Sequence, residues 1–216
     1  PSTGGALVKL SGSPVATADV LDFVLSLDGA RAVYRADQRI DETYELFTVL
    51  VDGSAAPVPL TSPGVAATAD YRFAAGGRLL FSDGTTLASV PADASAPRTT
   101  LGNLSGPYRL SPDGTRVVFH SYTVHFDHFL ISRAVDGATP GLTLVDGYVQ
   151  EGFQVGRGVV LYTTSGLFSV PLDTGQAPVR LDTVPASGFV NRFALDHEGT
   201  HALFVKDQRL FRVPVH

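Results

Sequence analysis

The densest run of chemistry-bearing side chains is His120-Ser121-Tyr122-Thr123-Val124-His125-Phe126-Asp127-His128, three imidazoles and a carboxylate within nine residues. Imidazole and carboxylate together suit Zn²⁺, which gathers such ligands into a tetrahedral shell. The spacing opposes that use. His125 and His128 stand three apart, which in an extended strand sends them to opposite faces, and the chain has no cysteine to complete a shell. The sequence therefore predicts neither a metal nor a cofactor, and reads the run as an aromatic, His-bearing binding loop or a plain hairpin. An exposed His125 would titrate near neutral pH and make partner binding pH-dependent.

A second mixed stretch, Arg35-Ala36-Asp37-Gln38-Arg39-Ile40-Asp41-Glu42-Thr43-Tyr44-Glu45, carries both signs of charge and one tyrosine. Charge mixing of this kind is normal for a solvated hairpin extension. From the two stretches the expected contact residues are Tyr44, Tyr122, His125, Phe126 and His128, since rings offer large contact area at low rotamer cost. A third set, Asp22, Asp70, Glu151 and Arg192, opens apolar runs that read as strands and would stand at the mouth of a central channel. There they would hold a ligand or simply a hydrated wall. No Gly-x-Ser-x-Gly elbow, phosphate-cradling Gly-Lys-Ser/Thr loop, His-Glu-x-x-His or EF-hand run occurs. No catalytic residue is assigned, and the chain is not expected to be an enzyme.

The elements that must position these residues repeat. Taking Gly29, Gly77, Gly114, Gly156 and Gly199 as equivalent gives steps of 48, 37, 42 and 43 residues, the period of four-stranded propeller blades. Each unit has an entry strand, a turn, an apolar strand such as Arg78-Leu79-Leu80-Phe81 or Arg116-Val117-Val118-Phe119, and a third strand such as Leu87-Ala88-Ser89-Val90 or Leu167-Phe168-Ser169-Val170. Branched and aromatic runs punctuated by Asp-Gly, Gly-Gly and Pro are strand and hairpin signals. The predicted fold is all-β, a five-bladed β-propeller of four-stranded antiparallel blades over residues 12–60, 61–101, 102–144, 145–181 and 182–216 with 1–11. Ala6 to Leu10 is expected to supply the outer strand of the last blade beside Leu210 to Pro214, closing the ring. Second-to-third-strand spacings of twelve (Tyr34 to Leu46) and eleven (Phe119 to Leu130), against six elsewhere, place the elaborated loops in blades one and three.

Ser111-Pro112-Asp113-Gly114-Thr115-Arg116-Val117-Val118-Phe119, echoed at Ser26 to Tyr34 and His197 to Phe204, resembles the repeat of TolB-type β-propellers, and Leu167 to Leu181 is similar to the second half of that repeat. The resemblance implies a docking platform for other proteins, periplasmic or secreted and bacterial, with a protein or peptide partner. A net charge of −5 with no basic run argues against nucleic acid. No apolar run approaches the roughly 18 residues that cross a bilayer, so membrane insertion is not expected, and 216 residues at 44% apolar suffice for one monomeric core. The competing reading is a ligand-binding, hydrolase or lyase propeller with its site at the channel mouth. A third takes the chain as an engineered or excised piece of a longer repeat protein with no function of its own.

Overall fold

The computed structural model describes residues 5–12, 17–123, 125, 127–183 and 189–215, with the side chains of Gln150 and Glu151 outside that set. All sheets are antiparallel, and a single 3₁₀ turn, Ala75–Gly77, is the only helical element among the described residues. The chain divides into two compact units, residues 1–100 and 101–216.

In the first unit β1 (Val20–Leu25), β2 (Arg31–Ala36), β3 (Glu45–Leu50) and β4 (Val58–Pro59) form one four-stranded sheet in chain order. β5 (Tyr71–Ala74), β6 (Arg78–Ser82), β7 (Thr86–Pro91) and β8 (Thr99–Asn103) form the next in the same order. One face of the first sheet buries Val33 and Leu46 against Tyr71, Leu79 and Phe81 of the second. Its other face gathers Ala32, Tyr34, Ala36, Phe47 and Val49, and Leu10 packs on them.

The second unit holds three sheets. β9 (Tyr108–Leu110), β10 (Arg116–Tyr122), β11 (His128–Ala134) and β12 (Leu142–Asp146) form one; β13 (Gln150–Val155), β14 (Val159–Thr163), β15 (Leu167–Pro171) and β16 (Val179–Arg180) another. β17 (Val190–Leu195), β18 (His201–Lys206) and β19 (Arg209–Pro214) make a three-stranded sheet with β19 at its edge. Val118, Leu130, Phe153 and Val160 fill the space between the first two, and Leu161, Leu167, Ala202 and Phe204 that between the last two.

Five sheets of this connectivity fit the repeat, and the Ser-x-Asp-Gly signature has a local cause. The Ser111 hydroxyl donates to Asp113 Oδ1 at 2.6 Å and accepts from the Arg116 N–H at 3.0 Å, while Asp113 Oδ1 accepts from the Thr115 N–H at 3.1 Å. Gly114 sits at φ +70°, where a side chain is disfavoured. Ser26, Asp28 and Arg31 repeat the bonds at 2.6 and 3.0 Å. Arg116 then reaches along its sheet to Ser132 Oγ at 2.9 Å, as Arg78 reaches Ser89 Oγ at 2.7 Å and Arg31 reaches Thr48 Oγ1 at 3.2 Å.

Two expectations are corrected. Ala6 to Leu10 forms no strand, so the last sheet lacks the fourth strand assigned to that segment. The segment lies across the first sheet instead. The Val8 side chain approaches Gly53 at the end of β3, Leu10 rests on the apolar face, and the Gly12 N–H donates to the Tyr34 hydroxyl at 3.3 Å. A short apolar segment gains as much by covering such a face as by pairing with an edge. Second, the long loop of the third sheet is mostly ladder: Tyr122 pairs with His128 and His120 with Leu130, leaving only Thr123 to Asp127 as the connection.

Candidate functional site

Three of the first strands carry a bulge at the place where the sequence puts its channel residues. The register shifts between Val20 and Asp22 in β1, between Gln150 and Phe153 in β13, and between Val190 and Arg192 in β17. An extra residue on one strand re-aims its neighbours, and bulges concentrate beside functional sites for that reason. The predicted set is thereby spread over both units. Asp22 belongs to the first. Glu151 lies within the β13 bulge with its side chain outside the described residues, and Arg192 sits on β17.

Asp22 is fully engaged. Arg35, directly opposite it across the ladder, donates to Asp22 Oδ2 from Nη2 at 2.7 Å and Nε at 3.2 Å. The Tyr71 hydroxyl, from the second sheet, donates to Oδ1 at 2.5 Å. Burial alone would raise the Asp22 carboxyl, but the bonds from Arg35 and Tyr71 outweigh it and hold the group below its ordinary value. The Tyr71 hydroxyl moves up, by burial first and then by the bond to Asp22. Arg35 also lies over the Tyr44 ring, 5.9 Å from its centroid. Two residues from different expected sets, Asp22 and Tyr44, are thus joined by an arginine that composition gave no reason to single out. Asp70 pairs with Arg72 two residues on, a local bond that leaves it near β5 rather than with Asp22.

Among the described residues Arg192 has no such partner. The residue opposite it is Val205, which cannot pair with a guanidinium. Arg192 lines a cleft of about 590 Å³ with Pro107, Arg109, Gly152, Gln154 and Asn191, walled by Phe153 and Phe193. Gln154 fixes the spacing of the two strands that bound it: its Nε2 donates to the Phe193 carbonyl at 2.9 Å, and its Oε1 accepts from the Leu195 N–H at 3.0 Å.

The expected contact residues occupy the end of the third sheet. Thr123 and Asp127 close the connection, with Thr123 Oγ1 donating to Asp127 Oδ2 at 3.0 Å and Thr123 N–H to the Asp127 carbonyl at 3.1 Å. The carboxylate is therefore spent on the turn. His125 is exposed, while Tyr122 and His128 are half-buried. Phe126 lies outside the described residues. His128 meets the edge of Tyr148, centroids 5.4 Å apart, and Tyr148 is 65% exposed. Tyr148 carried no signal in the sequence, since it stands alone in a short inter-sheet connection. His120 is buried edge-on to Phe153 at 5.3 Å, and burial, with a smaller contribution from His128, lowers its affinity for a proton. His120, His125 and His128 thus fall into three different environments, and no group of three His, Asp or Glu among the described residues has metal-binding geometry.

Two other clefts recur with the repeat. One of about 810 Å³ is bordered by Ser26, Asp28, Arg78 and Asp93, and one of about 420 Å³ by Ser111, Asp113, Gly156 and Arg157. Both lie at corresponding short turns and belong to the scaffold.

No protein-family model matches the chain, and no curated protein matches it. Solved structures do match, two of them as follows. The CNH domain of AfRom2 aligns over 94% of this chain and 71% of its own length at 14% identity, with a TM-score of 0.51. A chain from a structural and mechanistic analysis of two prolyl endopeptidases aligns over 88% of this chain at 13% identity, with a TM-score of 0.53. This chain spans about a third of that one's length, 32%. Identities this low speak for fold alone. The chain is a β-rich, propeller-like protein.

Proposed function

We propose that this protein is a TolB-like interaction scaffold, without chemistry of its own, that docks a protein or peptide partner on the loop end of its third sheet. The observation that carries the reading is the group of rings there: His125 exposed, Tyr122 and His128 half-buried, and Tyr148 standing 65% exposed against His128. A tyrosine held this far into solvent by a neighbouring ring is pre-positioned contact area, and aromatic groups dominate binding energy where they become buried. The first sheet's long loop is a poorer candidate. Its Asp37 and Glu45 are buried, Asp37 accepting from the Asp19 N–H at 2.6 Å and Glu45 from Arg39 Nε at 2.5 Å, so that loop is structural.

Closure of the five sheets into one monomeric ring belongs to the same proposal. Its support is the open edge of β19 together with exposed Leu7, Val8, Phe23 and Leu25, apolar groups that a closed ring would cover. Deleting the first eleven residues uncovers the apolar face under Leu10 and is expected to lower the melting temperature; closure itself is tested by small-angle X-ray scattering, where one compact monomeric ring is expected and an open, elongated particle would overturn it.

The docking reading is tested by His125→Ala with Tyr148→Ala. Both side chains are exposed, so stability should stay within about 0.5 kcal/mol while capture of a defined partner is lost. Undiminished capture would place docking elsewhere. A hydrolase or lyase activity abolished by Asp22→Asn, Asp70→Asn or Glu151→Gln would overturn the non-enzymatic reading.

A further inference from the structure

The cleft bounded by β9, β13 and β17 differs in charge from the clefts that recur with the repeat. Those at the short turns hold carboxylates beside their arginines, Asp28 and Asp93 in one and Asp113 in the other. This one is lined by Arg109 and Arg192, with no carboxylate among the described side chains that line it. Among the described residues Arg109 makes only a long contact, 3.5 Å, to the Tyr108 carbonyl. Arg192 makes no hydrogen bond or ion pair among the described residues, and Val205 opposite it offers none. The bulge between Val190 and Arg192 turns Asn191 out as an additional polar group on the cleft wall. At Gly152, which lines the cleft, φ is +87°, a left-handed conformation that favours glycine. β13 and β17 are tied together by the paired Gln154 bonds, which fixes the strand that carries Arg192.

We propose that this cleft binds an oxyanion, the carboxylate or phosphate group of a small ligand, with Arg109 and Arg192 as the recognising cations and Asn191 as a further donor. Guanidinium presents paired N–H groups that match both oxyanions, and a charge-assisted bond is about twice as strong as a neutral one. The site is open, so affinity is moderate, with a Kd of about 1 mM or tighter at low ionic strength, and it weakens as salt screens the pair.

The experiment is calorimetric or NMR titration of the full chain with citrate and, separately, with inorganic phosphate. Saturable binding is expected. Binding of only one of the two assigns the ligand class as carboxylate or phosphate. Arg109→Gln and Arg192→Gln should each weaken binding about tenfold, and the double variant should abolish it. Val205→Asp keeps both arginines but supplies Arg192 with a cross-strand partner, so it should weaken binding as well. Arg192→Lys guards against loss of fold, since it preserves charge and removes only the paired geometry. No saturable binding of either anion up to about 10 mM, or unchanged binding in a folded double variant, would overturn the proposal.

Discussion

β1 and β17 hold the same place in their repeats, with the same bulge, yet the charges they carry are treated in opposite ways. Asp22 faces Arg35 across the ladder and receives the Tyr71 hydroxyl as well. Arg192 faces Val205 and receives nothing among the described residues. Asp182, just after β16, does reach the last sheet, but it is taken: Lys206 Nζ donates to its Oδ2 at 3.1 Å and Arg180 Nε to its Oδ1 at 2.8 Å. One residue of the opposite strand thus decides whether a charge at the bulge is a structural tie or remains available to a ligand.

The comparison is broken most forcefully at Asp182. Lys206 is 3% exposed, and Asp182→Ala strands its ammonium, which should cost about 3–5 kcal/mol in chemical denaturation. Next is Asp22→Ala, which leaves the Tyr71 hydroxyl and the Arg35 guanidinium unpaired. Because Asp22 is partly open to solvent, the expected loss is about 1–3 kcal/mol, and Tyr71→Phe should cost about 1 kcal/mol. A destabilisation under 0.5 kcal/mol in Asp22→Ala would mean the pair is a surface ornament.

The pH profile sharpens the same contrast. The folded-state value of Asp22 is depressed, so its contribution is present above the unfolded value near 4 and is lost as pH falls through the folded one. Asp83 behaves alike: burial would raise it, but the Thr86 and Thr85 N–H groups and hydroxyls bring it down to about 2. Asp196, held first by the His201 N–H, also lies at about 2. Stability should therefore fall between about pH 4 and pH 2, and Asp22→Asn should flatten part of that fall. Arg192→Gln should leave the profile unchanged.

The smallest effect is expected at Ser169. In the second and third sheets Arg78 and Arg116 bond the corresponding serines, Ser89 and Ser132. In the fourth sheet Val159 stands in the arginine's place, and Ser169 Oγ is buried without a partner among the described residues. Ser169→Ala should be neutral or stabilising by up to about 1 kcal/mol, whereas Ser89→Ala and Ser132→Ala should each lose about 1 kcal/mol. A clear loss at Ser169 would show the equivalence to be mistaken.

Most of the strands were legible because the signal is local: branched and aromatic residues follow a turn glycine in each repeat, as at Gly29, Gly77, Gly114, Gly156 and Gly199. The site was legible only in part. Asp22, Glu151 and Arg192 could be singled out as strand openers, but the bond from Tyr71 to Asp22 spans 49 residues, and no periodicity announces a partner so distant. The bulges were invisible since one extra residue such as Asn191 changes neither composition nor pattern. Ala6 to Leu10 was misassigned because its apolar pattern suits a sheet edge and a sheet face equally.

The Ser-x-Asp-Gly-Thr-Arg turn has a consequence for how the chain finds this structure. The side-chain bonds of Ser111, Asp113 and Thr115 join residues no more than five apart. A closure so short needs no distant segment to arrive first, and hairpins form on a timescale of about 1–10 μs. The alignment of β9 with β10, and of β1 with β2, is therefore set while the rest of the chain is still unfolded. Slower steps then bring together hairpins whose pairing is already decided.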